Sequence, residues 1–525
     1  MMLKKRTFIL MTALTTTIAV QAQTDLDKSF LQTSEVPNAA WYLPAPPDTS
    51  SVAFLYDYNR YLWGRSLRDT YRGRIADYDT FWQTDSVLKG FAPAFGFLIT
   101  RTSAPETYKL ISRAVIDAEH GVDGAKERYM RKRPYMQFHE HTGCPTDEEE
   151  LSHNGSYPSG HSAIGWATAL LLAELNPACA NEIIHRGYEY GQSRVIEGYH
   201  YQSDVDAARL SSSAVVATLH ADPAFMKQME KARKELSKLM APATAFDVTK
   251  ARLSDVKTLE GQPGEGYQGM AISGDWLVSC QNRGYATLYR LPDMNKVAGP
   301  FKLGSFASTN HANIAKFGLE RWQSTDELPV LYVSQAYRKT VGGRKDVCYV
   351  ERILPEGKAE TVQRIIFDDT DHLYGYALQW TVDRDHQRLI GLGNSISNDD
   401  GRNCFRIIIF PLPKLSDGRE VVLKATDAEA CYLIQDTDQR YPHKVVGQGA
   451  CVKDGCLFMP TGFGSEGAPS ILYVWDLYKR KLRHIIDLRK ELNKVEMEDI
   501  DFYRGNAYIQ TNGRGLLKFG PLFNK

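Results

Sequence analysis

The sequence carries no excess charge of either sign. Lysine plus arginine number 63 and aspartate plus glutamate also number 63, so the formal net charge is +0 at pH 7. Proteins that bind nucleic acids or anionic membrane surfaces usually show a basic excess or a basic cluster. The charge balance supports neither class, and we expect no nucleic acid partner.

Long hydrophobic runs are also scarce, and the one that stands out lies at the amino terminus. Residues 4–6 are basic, residues 8–20 are largely apolar, and the small residue Ala22 precedes Gln23. This order is typical of a cleaved secretory signal over residues 1–22. An uncleaved membrane anchor is the alternative, but the run contains four threonines and is shorter than the roughly 20 residues of a spanning helix. We therefore expect a periplasmic or secreted mature chain without a transmembrane segment.

The eight cysteines lack the closely spaced pairs of a zinc site. In an exported chain they could form disulfides, and Cys144 with Cys179 is a pairing that the first half allows. The other cysteines are interpreted mainly as buried thiols. No metal and no cofactor is predicted.

The first half of the chain reads mostly as helices. At 525 residues the chain is longer than a single hydrophobic core usually supports. Residues 161–175 are almost all apolar, as in a helix buried inside a bundle. Further helical stretches lie at 103–118, 179–197 and 224–239, and the last is so highly charged that we interpret it as an exposed cap. We predict an all-α helical-bundle domain over residues 23–240 and a linker over 241–250.

Residues 251–525 have a different sequence pattern, in which short β-rich runs are separated by turns that contain Gly, Asp and Asn. The stretch Gln268-Gly269-Met270-Ala271 repeats as Gln448-Gly449-Ala450-Cys451, and a Leu-Tyr pair follows each. Similar units number about five, each of roughly 40 to 50 residues, which is the size of a propeller blade. The predicted fold is an all-β, propeller-like domain, with a β-sandwich as the alternative. It shows no catalytic pattern, so we predict a packing role or the binding of an unidentified ligand or partner.

Three short segments of the helical half hold polar residues in an order that suits phosphoryl transfer without a metal. Charge spreads over the phosphoryl oxygens in the transition state, so fixed cations and N–H donors must surround them. A serine-glycine turn before a helix offers unpaired N–H groups to an anion, although the serine alone could be a plain helix cap. The candidate phosphate-binding residues are Lys126, Arg133, Ser159, Gly160 and Arg194.

Two histidines and an aspartate are the candidate catalytic residues. His200 and Asp204 stand four residues apart, so on a helix the carboxylate reaches one ring nitrogen and leaves the other free to attack phosphorus. His161, directly behind the serine-glycine turn, is placed to protonate the leaving alcohol and then to activate water. Because His161 must be cationic when it donates while His200 needs a lone pair, we expect the best turnover at mildly acidic pH.

These segments resemble the signature of the type-2 phosphatidic acid phosphatase superfamily. Within it, several longer stretches resemble the bacterial class A non-specific acid phosphatases. They are Tyr129-Met130-Arg131-Lys132-Arg133-Pro134, Asn154-Gly155-Ser156-Tyr157-Pro158-Ser159-Gly160-His161, Gly165-Trp166-Ala167-Thr168-Ala169-Leu170 and Gly191-Gln192-Ser193-Arg194. The resemblance covers residues 56–209 and implies an all-helical catalytic domain that hydrolyses small phosphomonoesters.

The resemblance also implies roles for single residues. His200 would form a phosphohistidine, Asp204 would orient it, and His161 would act as acid and base. A homodimer is implied by the resemblance alone. The β-rich half departs from the single-domain members of that family, so two alternatives stay open: a vanadate-dependent haloperoxidase of the same superfamily, and a binding protein dominated by its β domain.

Overall fold

The structure is a computed structural model that describes residues 28–240, 246–336, 346–370, 378–394, 405–434 and 447–523. The chain divides into two compact units, of which the first ends at Leu239 and the second begins at Met240. The predicted signal over residues 1–22 and residues 241–245 of the predicted linker lie outside the described residues. Each unit is described by itself.

The first unit is helical. Its α-helices are α1 Val52–Arg65, α2 Tyr71–Tyr78, α3 Thr84–Phe95, α4 Pro105–Tyr129, α5 Pro134–Phe138, α6 Glu148–Ser152, α7 Gly160–Leu175, α8 Ala180–Glu197, α9 Gln202–Leu219 and α10 Pro223–Leu239. The predicted helices at 161–175, 179–197 and 224–239 are present with ends shifted by one residue or less. The helix predicted over 103–118 is longer and continues to Tyr129.

Helix α7 lies at the centre of the bundle, packed against α4, α8 and α9. Its sequence is apolar almost all round because it has neighbours on several sides, and Leu171 and Leu172 are fully buried. Close approach to α8 depends on glycine, since a Cβ at Gly165 would lie 2.2 Å from the ring of Tyr190. Truncating a leucine of this helix to alanine would destabilise the unit by about 2–5 kcal/mol.

Helix α10 differs from the exposed cap that its charge predicts. One side of it is buried against α4 through Phe225, Met229, Ala232 and Leu236. The lysines between these positions face outward, while Glu235 accepts from the backbone N–H groups of Glu106 and Thr107 at the start of α4. The helix is therefore amphipathic, and its apolar stripe is part of the core.

Where it is described, the second unit contains short strands and one short α-helix. They are β1 Arg252–Lys257, β2 Tyr267–Ser273, β3 Trp276–Gln281, β4 Tyr285–Arg290, β5 Asn295–Lys302, β6 Ala315–Phe317, β7 Leu331–Ser334, β8 Cys348–Leu354, β9 Lys358–Asp368, β10 Gln379–Asp383, β11 Arg388–Asn394, β12 Phe405–Pro411, β13 Glu420–Lys424, β14 Ala430–Leu433, β15 Cys451–Lys453, β16 Cys456–Thr461, β17 Ile471–Asp476, β18 Lys481–Asp487, α11 Arg489–Leu492, β19 Glu496–Tyr503, β20 Asn506–Asn512 and β21 Gly515–Gly520.

These strands form five small sheets, which confirms the propeller-like prediction. The strand orders are β2-β3-β4-β5, β6-β7-β8-β9-β13, β10-β11-β12-β14, β15-β16-β17-β18 and β19-β20-β21-β1. The first strand of each sheet touches the first strands of its two neighbours, so these inner strands close a ring. Because β1 pairs with β21, the last sheet joins the two ends of the unit and completes that ring.

The hydrophobic core of this unit lies between neighbouring sheets. Separate clusters join the first sheet to the second, the second to the third, the third to the fourth, the fourth to the fifth and the fifth back to the first. Tight hairpins connect the inner strands to their partners, and two of them turn at Asp454-Gly455 and Arg504-Gly505 with positive φ at both positions. This turn matches the right-handed twist of the strands.

Two smaller predictions about the chain can be compared with the structure. The Cys144–Cys179 disulfide that the sequence allows is not formed. Among the residues described here, no helix is long and apolar enough to cross a membrane.

Candidate active site

The predicted site residues come from the ends of several helices. Lys126 lies in the last turn of α4, Arg133 precedes α5, Ser159 caps α7, Arg194 lies in the last turn of α8, and Asp204 lies in the first turn of α9. His200 occupies the short turn between α8 and α9. Helix ends leave backbone groups unpaired, so they suit the binding of a polar ligand.

The turn that carries His200 is fixed by the end of α8. Gly198 adopts φ +85°, a left-handed conformation that glycine accepts readily. The backbone N–H groups of Tyr199 and His200 then both donate to the carbonyl of Arg194. This reversal of the chain brings the His200 side chain back beside the last turn of α8.

The hydrogen bonds of His200 assign its tautomer. Arg133 Nη1 lies 3.0 Å from Nε2, and because a guanidinium only donates, Nε2 must hold a lone pair. Nδ1 lies 2.8 Å from the carbonyl oxygen of Ser156, which only accepts, so Nδ1 carries the hydrogen. Burial and the charge of Arg133 hold the pKa of His200 well below its ordinary value. The ring is therefore neutral, with Nε2 as its nucleophilic atom.

The position of Asp204 relative to His200 differs from the prediction. Their spacing of four residues predicts that both lie on one face of a helix. His200 precedes α9, so the two residues do not share one helix, and Asp204 Oδ2 lies 3.5 Å from Nδ1. The direct acceptor of Nδ1–H is instead the Ser156 carbonyl. Asp204 Oδ2 accepts from the Ser156 hydroxyl and from the backbone N–H of Tyr201. The carboxylate therefore orients His200 mainly through the turn around it.

Arg131 holds the other oxygen of that carboxylate. Its Nη1 donates to Asp204 Oδ1 at 2.6 Å and its Nη2 donates to Asp57 Oδ2 at 2.8 Å. The guanidinium also lies over the ring of Tyr201, 4.1 Å from its centroid. Asp57 in turn accepts from the backbone and hydroxyl of Ser203. A buried network thus ties α1 to the turn that carries His200.

Lys126 and Arg133 are buried cations with no carboxylate partner in the described part of the chain. Lys126 Nζ donates to the carbonyl of Gly155 at 2.9 Å. Burial and the nearby charge of Arg133 lower the pKa of Lys126 to about 7. Burial lowers the pKa of Arg133 to about 10. Both shifts show that the charged forms are destabilised where they are buried, so an anion bound there would stabilise them.

Arg194 is the least satisfied of the three cations. Its side chain is fully buried, yet neither Nε nor Nη2 has a hydrogen-bond partner within the described ranges. Nη1 makes a long contact of 3.5 Å with the hydroxyl of Thr80. An unpaired buried guanidinium is costly, so its retention indicates that a bound group supplies the missing acceptors.

The amino terminus of α7 completes the anion-binding arrangement. The Ser159 hydroxyl accepts from the backbone N–H of Ser162, so Ser159 is the helix cap. The Cβ of a side chain at Gly160 would meet only the Lys126 Cε atom, at 4.0 Å. Gly160 therefore leaves open space between the helix terminus and the lysine, where an anion can approach the backbone.

His161 lies at the mouth of this arrangement and is partly exposed. Its Nε2 lies 3.1 Å from the carbonyl oxygen of Thr80, so Nε2 carries a hydrogen. Burial and the charge of Arg194 hold the pKa of His161 well below its ordinary value. A bound dianion would oppose the second effect and favour the imidazolium form.

The structure brings all eight predicted site residues to one place. The charges of Lys126, Arg133 and Arg194 all act on His200, and those of Arg133 and Arg194 also act on His161. Sequence reasoning missed Ser156, Thr80, Asp57 and the role of Arg131. Ser156 and Arg131 lie within recognised motifs, whereas Asp57 comes from α1 and Thr80 from the turn after α2, and neither carries a local signal.

Other candidates from the sequence lie apart from this chemistry. His139 is exposed, and His141 contacts Glu148 through a side chain that is 87% exposed. Where the chain is described, no three His, Cys, Asp or Glu side chains are grouped as ligands of a metal ion. The acidic run at 147–150 begins the short helix α6.

Comparison with known proteins agrees with this geometry. The family model described as the PAP2 superfamily matches residues 110–226. This range contains all eight predicted site residues. It begins within α4 and ends within α10.

Individual relatives match the chain over a similar length. A non-specific acid phosphatase of Providencia stuartii is 48% identical over 214 residues, which is 41% of this chain and 86% of that protein. A non-specific acid phosphatase of Salmonella typhimurium is 37% identical, over 42% of this chain and 88% of that protein. An acid phosphatase of Zymomonas mobilis is 36% identical, over 47% of this chain and 96% of that protein. The chain therefore belongs to the PAP2 superfamily, and it is an acid phosphatase.

Proposed function

We propose that this phosphatase works through a covalent phosphohistidine on Nε2 of His200. The observation that carries the proposal is the tautomer of that ring, with Nδ1–H held by the Ser156 carbonyl and a lone pair on Nε2. Nε2 attacks phosphorus while the bond from phosphorus to the leaving oxygen breaks. His161 gives its proton to that oxygen, and the alcohol departs.

The second step returns the enzyme to its starting state. His161, now neutral, takes a proton from water as the water oxygen attacks phosphorus. The bond from Nε2 to phosphorus breaks, inorganic phosphate leaves, and His161 is again protonated. The phosphorylated ring carries positive charge while it exists, and the nearby Asp204 carboxylate at 3.5 Å stabilises it.

We propose further that fixed cations do the work that a metal does in other phosphoryl-transfer enzymes. Lys126, Arg133 and Arg194 surround His200, and two donor nitrogens of Arg194 have no partner in the described part of the chain. The N–H groups at the start of α7 add neutral donors. Such preorganised groups stabilise the charge of the transition state without reorganising during the reaction.

The charges of the free site support an acidic pH optimum. Lys126, with a pKa of about 7, binds phosphate only while it is protonated, and it loses that proton as the pH rises above 7. His161 must also be protonated when the substrate is bound. His200 stays neutral at mildly acidic pH because its pKa is depressed. These three requirements are met together below neutral pH.

Hydrolysis of a small aryl phosphate by the mature protein, with a chelator present, tests the proposal. We expect chelator-resistant activity that disappears in His200→Ala and is unchanged in His185→Ala, a surface histidine whose side chain is 71% exposed. Activity that survives in His200→Ala would overturn the proposal. Bromide oxidation that depends on added vanadate, with no hydrolysis, would support the haloperoxidase alternative instead.

We propose export for this protein from the pattern of residues 1–22. Amino-terminal sequencing of the protein from the periplasm and the medium tests it, and a mature chain that begins at Gln23 is the expected result. A chain that retains Met1 in the membrane fraction would contradict cleavage.

The β unit is proposed to recruit a ligand and to take no part in the chemistry. A chain that ends at Ala245 should then hydrolyse small aryl phosphates with unchanged kcat and KM and lose activity on a natural substrate. A large fall in kcat on the small substrate would contradict this division of labour.

A further inference from the structure

The segment that follows α2 lies at the edge of the site and carries two exposed aromatic rings. Thr80 contacts two members of the site: its carbonyl oxygen lies 3.1 Å from His161 Nε2, and its hydroxyl lies 3.5 Å from Arg194 Nη1. Phe81 and Trp82 follow directly in the chain, and they are 53% and 49% exposed. An exposed aromatic pair therefore adjoins the residue that is proposed to protonate the leaving alcohol.

Helix α8 holds this segment in place. The carboxylate of Asp79, which is 1% exposed, accepts from both terminal nitrogens of Arg186 and from the hydroxyl of Ser193. The Tyr190 hydroxyl lies 3.5 Å from the carbonyl oxygen of Phe81. The three residues of α8 follow one another at intervals of four and three, so they share one face of the helix. The segment is thus fixed on the helix that carries the phosphate-binding arginine.

The two aromatic rings have few contacts of their own. The Phe81 ring packs edge-on against Tyr78, with 6.3 Å between the ring centroids. The Trp82 indole makes no hydrogen bond and no ring contact with a residue that the structure describes. A single exposed aromatic residue is common on protein surfaces, and Trp41 is 89% exposed. The feature that distinguishes Phe81 and Trp82 is their position next to Thr80.

The proposed mechanism determines where the leaving alcohol departs. Nε2 of His200 attacks phosphorus from one side, so the leaving oxygen departs on the opposite side, near His161. The Thr80 carbonyl lies at that histidine, so a group attached to the leaving oxygen passes close to Thr80. Consecutive Cα atoms are about 3.8 Å apart, so the Cα atoms of Phe81 and Trp82 lie within about 4 and 8 Å of that of Thr80. A ring on the alcohol therefore comes within reach of both side chains.

We propose that Phe81 and Trp82 form a leaving-group subsite, which binds phosphomonoesters whose alcohol carries an aromatic ring. Aromatic rings attract one another in offset or edge-to-face arrangements beyond the effect of the area that they bury. The proposal rests on the proposed function, because the side of departure follows from the roles of His200 and His161. The ring contact is the same before and during the chemical step, so it strengthens binding without accelerating that step.

Two matched esters test the subsite. Benzyl phosphate and ethyl phosphate release alcohols of similar acidity, so the main difference between them is the ring. In Trp82→Ala the KM for benzyl phosphate should rise about five- to tenfold more than the KM for ethyl phosphate, with little change in kcat. Phe81→Ala should have the same effect with a smaller size of about threefold, because phenylalanine offers a smaller ring.

Inhibition by phosphonates measures the subsite without catalysis. Benzylphosphonate and ethylphosphonate cannot be hydrolysed at the ester position, because a P–C bond replaces the ester bond. Trp82→Ala should weaken competitive inhibition by benzylphosphonate about five- to tenfold more than inhibition by ethylphosphonate. Trp41→Ala is the matched control, since it removes an exposed tryptophan from the segment before α1. It should leave the ratio of the two inhibition constants unchanged.

Two results would overturn the subsite while the proposed function stands. One is a KM that changes equally for benzyl and ethyl phosphate in both Trp82→Ala and Phe81→Ala. The other is a ratio of phosphonate inhibition constants that is the same in the wild type and in Trp82→Ala. Failure of the proposed function gives a different result, because hydrolysis of both esters would then survive in His200→Ala.

Discussion

Both units contain buried cations, but the hydrogen-bond partners of these cations differ between the units. In the β unit, Lys316 is 2% exposed and donates to the carbonyls of Met270 and Ala315 and to the Asp499 carboxylate. All three ammonium hydrogens are used. In the helical unit, Arg194 is fully buried and two of its donor nitrogens have no partner among the described residues, where Lys126 donates to a backbone carbonyl and to no carboxylate.

We interpret this difference as one between a cation that stabilises the fold and a cation that a ligand would complete. A buried charge that is fully paired holds strands together, and removing one partner leaves the other uncompensated. A buried charge without a partner destabilises the free protein and is retained where a ligand completes it. The degree of burial alone does not distinguish Lys316 from Arg194, because both side chains are buried.

The largest expected effect comes from removing the unpaired cation. Arg194→Leu should lower kcat/KM on an aryl phosphate by about 10²–10³-fold, because the transition state loses charge-assisted donors. The melting temperature should not fall, since no ion pair is broken. Steady-state kinetics and thermal unfolding measure the two effects. A loss of activity smaller than about tenfold would remove Arg194 from the phosphate site.

For the paired cation Lys316, we expect a loss of stability without a loss of activity. Lys316→Met should lower the free energy of unfolding by about 3–5 kcal/mol, because Asp499 stays buried without its partner. The kcat of the folded protein on small substrates should be unchanged. Denaturant titration measures the loss, with Lys358→Met as control because that side chain is 77% exposed. A Lys316→Met variant with unchanged stability and reduced kcat would contradict a purely structural role for Lys316.

Arg131 sharpens the comparison, because it is a paired cation inside the functional site. Arg131→Met should lower kcat by about 10–100-fold with little change in KM, since Asp204 and the turn at His200 lose their anchor. Arg128→Met, which changes an exposed arginine in the last turn of α4, is the matched control. Equal losses in both variants, or a change in KM alone, would contradict a positioning role.

The smallest effect concerns pH. In the free enzyme kcat/KM should fall above pH 7, by about tenfold per pH unit, as Lys126 loses its proton. Lys126→Arg keeps the charge at higher pH, so its profile should extend further into the alkaline range. A profile of kcat/KM that rises steadily above pH 8 would contradict the assigned protonation states.

Much of this arrangement can be predicted from sequence because it depends on local patterns. The apolar residues at 161–175 predict a buried helix. The repeated stretches at Gln268 and Gln448 predict repeated structural units in the β-rich half. The spacing of Lys126 and Arg133, and of Arg194, His200 and Asp204, predicts the members of the site. Each of these signals lies within a single stretch of chain.

The remaining features depend on contacts between distant segments. Arg131 and Lys132 are adjacent cations, and only the fold reveals that Arg131 turns inward to Asp57 on α1 while Lys132 is exposed. The acceptor of His200 Nδ1–H is a backbone carbonyl, which has no sequence signature. The start of α9 after His200 changes how Asp204 reaches the ring, and helix ends are poorly predicted from sequence alone.

The central claim is the covalent intermediate on His200, and trapping it is the most direct test. Para-nitrophenyl phosphate has a leaving group that needs little protonation, so in His161→Ala the second step should be the slower one and phosphoenzyme should accumulate. Acid-free quenching with a chelator present, followed by peptide mass spectrometry, locates the phosphate. The account predicts a phosphohistidine at His200 that is absent from His200→Ala. Phosphate on another residue, or turnover with no covalent intermediate, would contradict it.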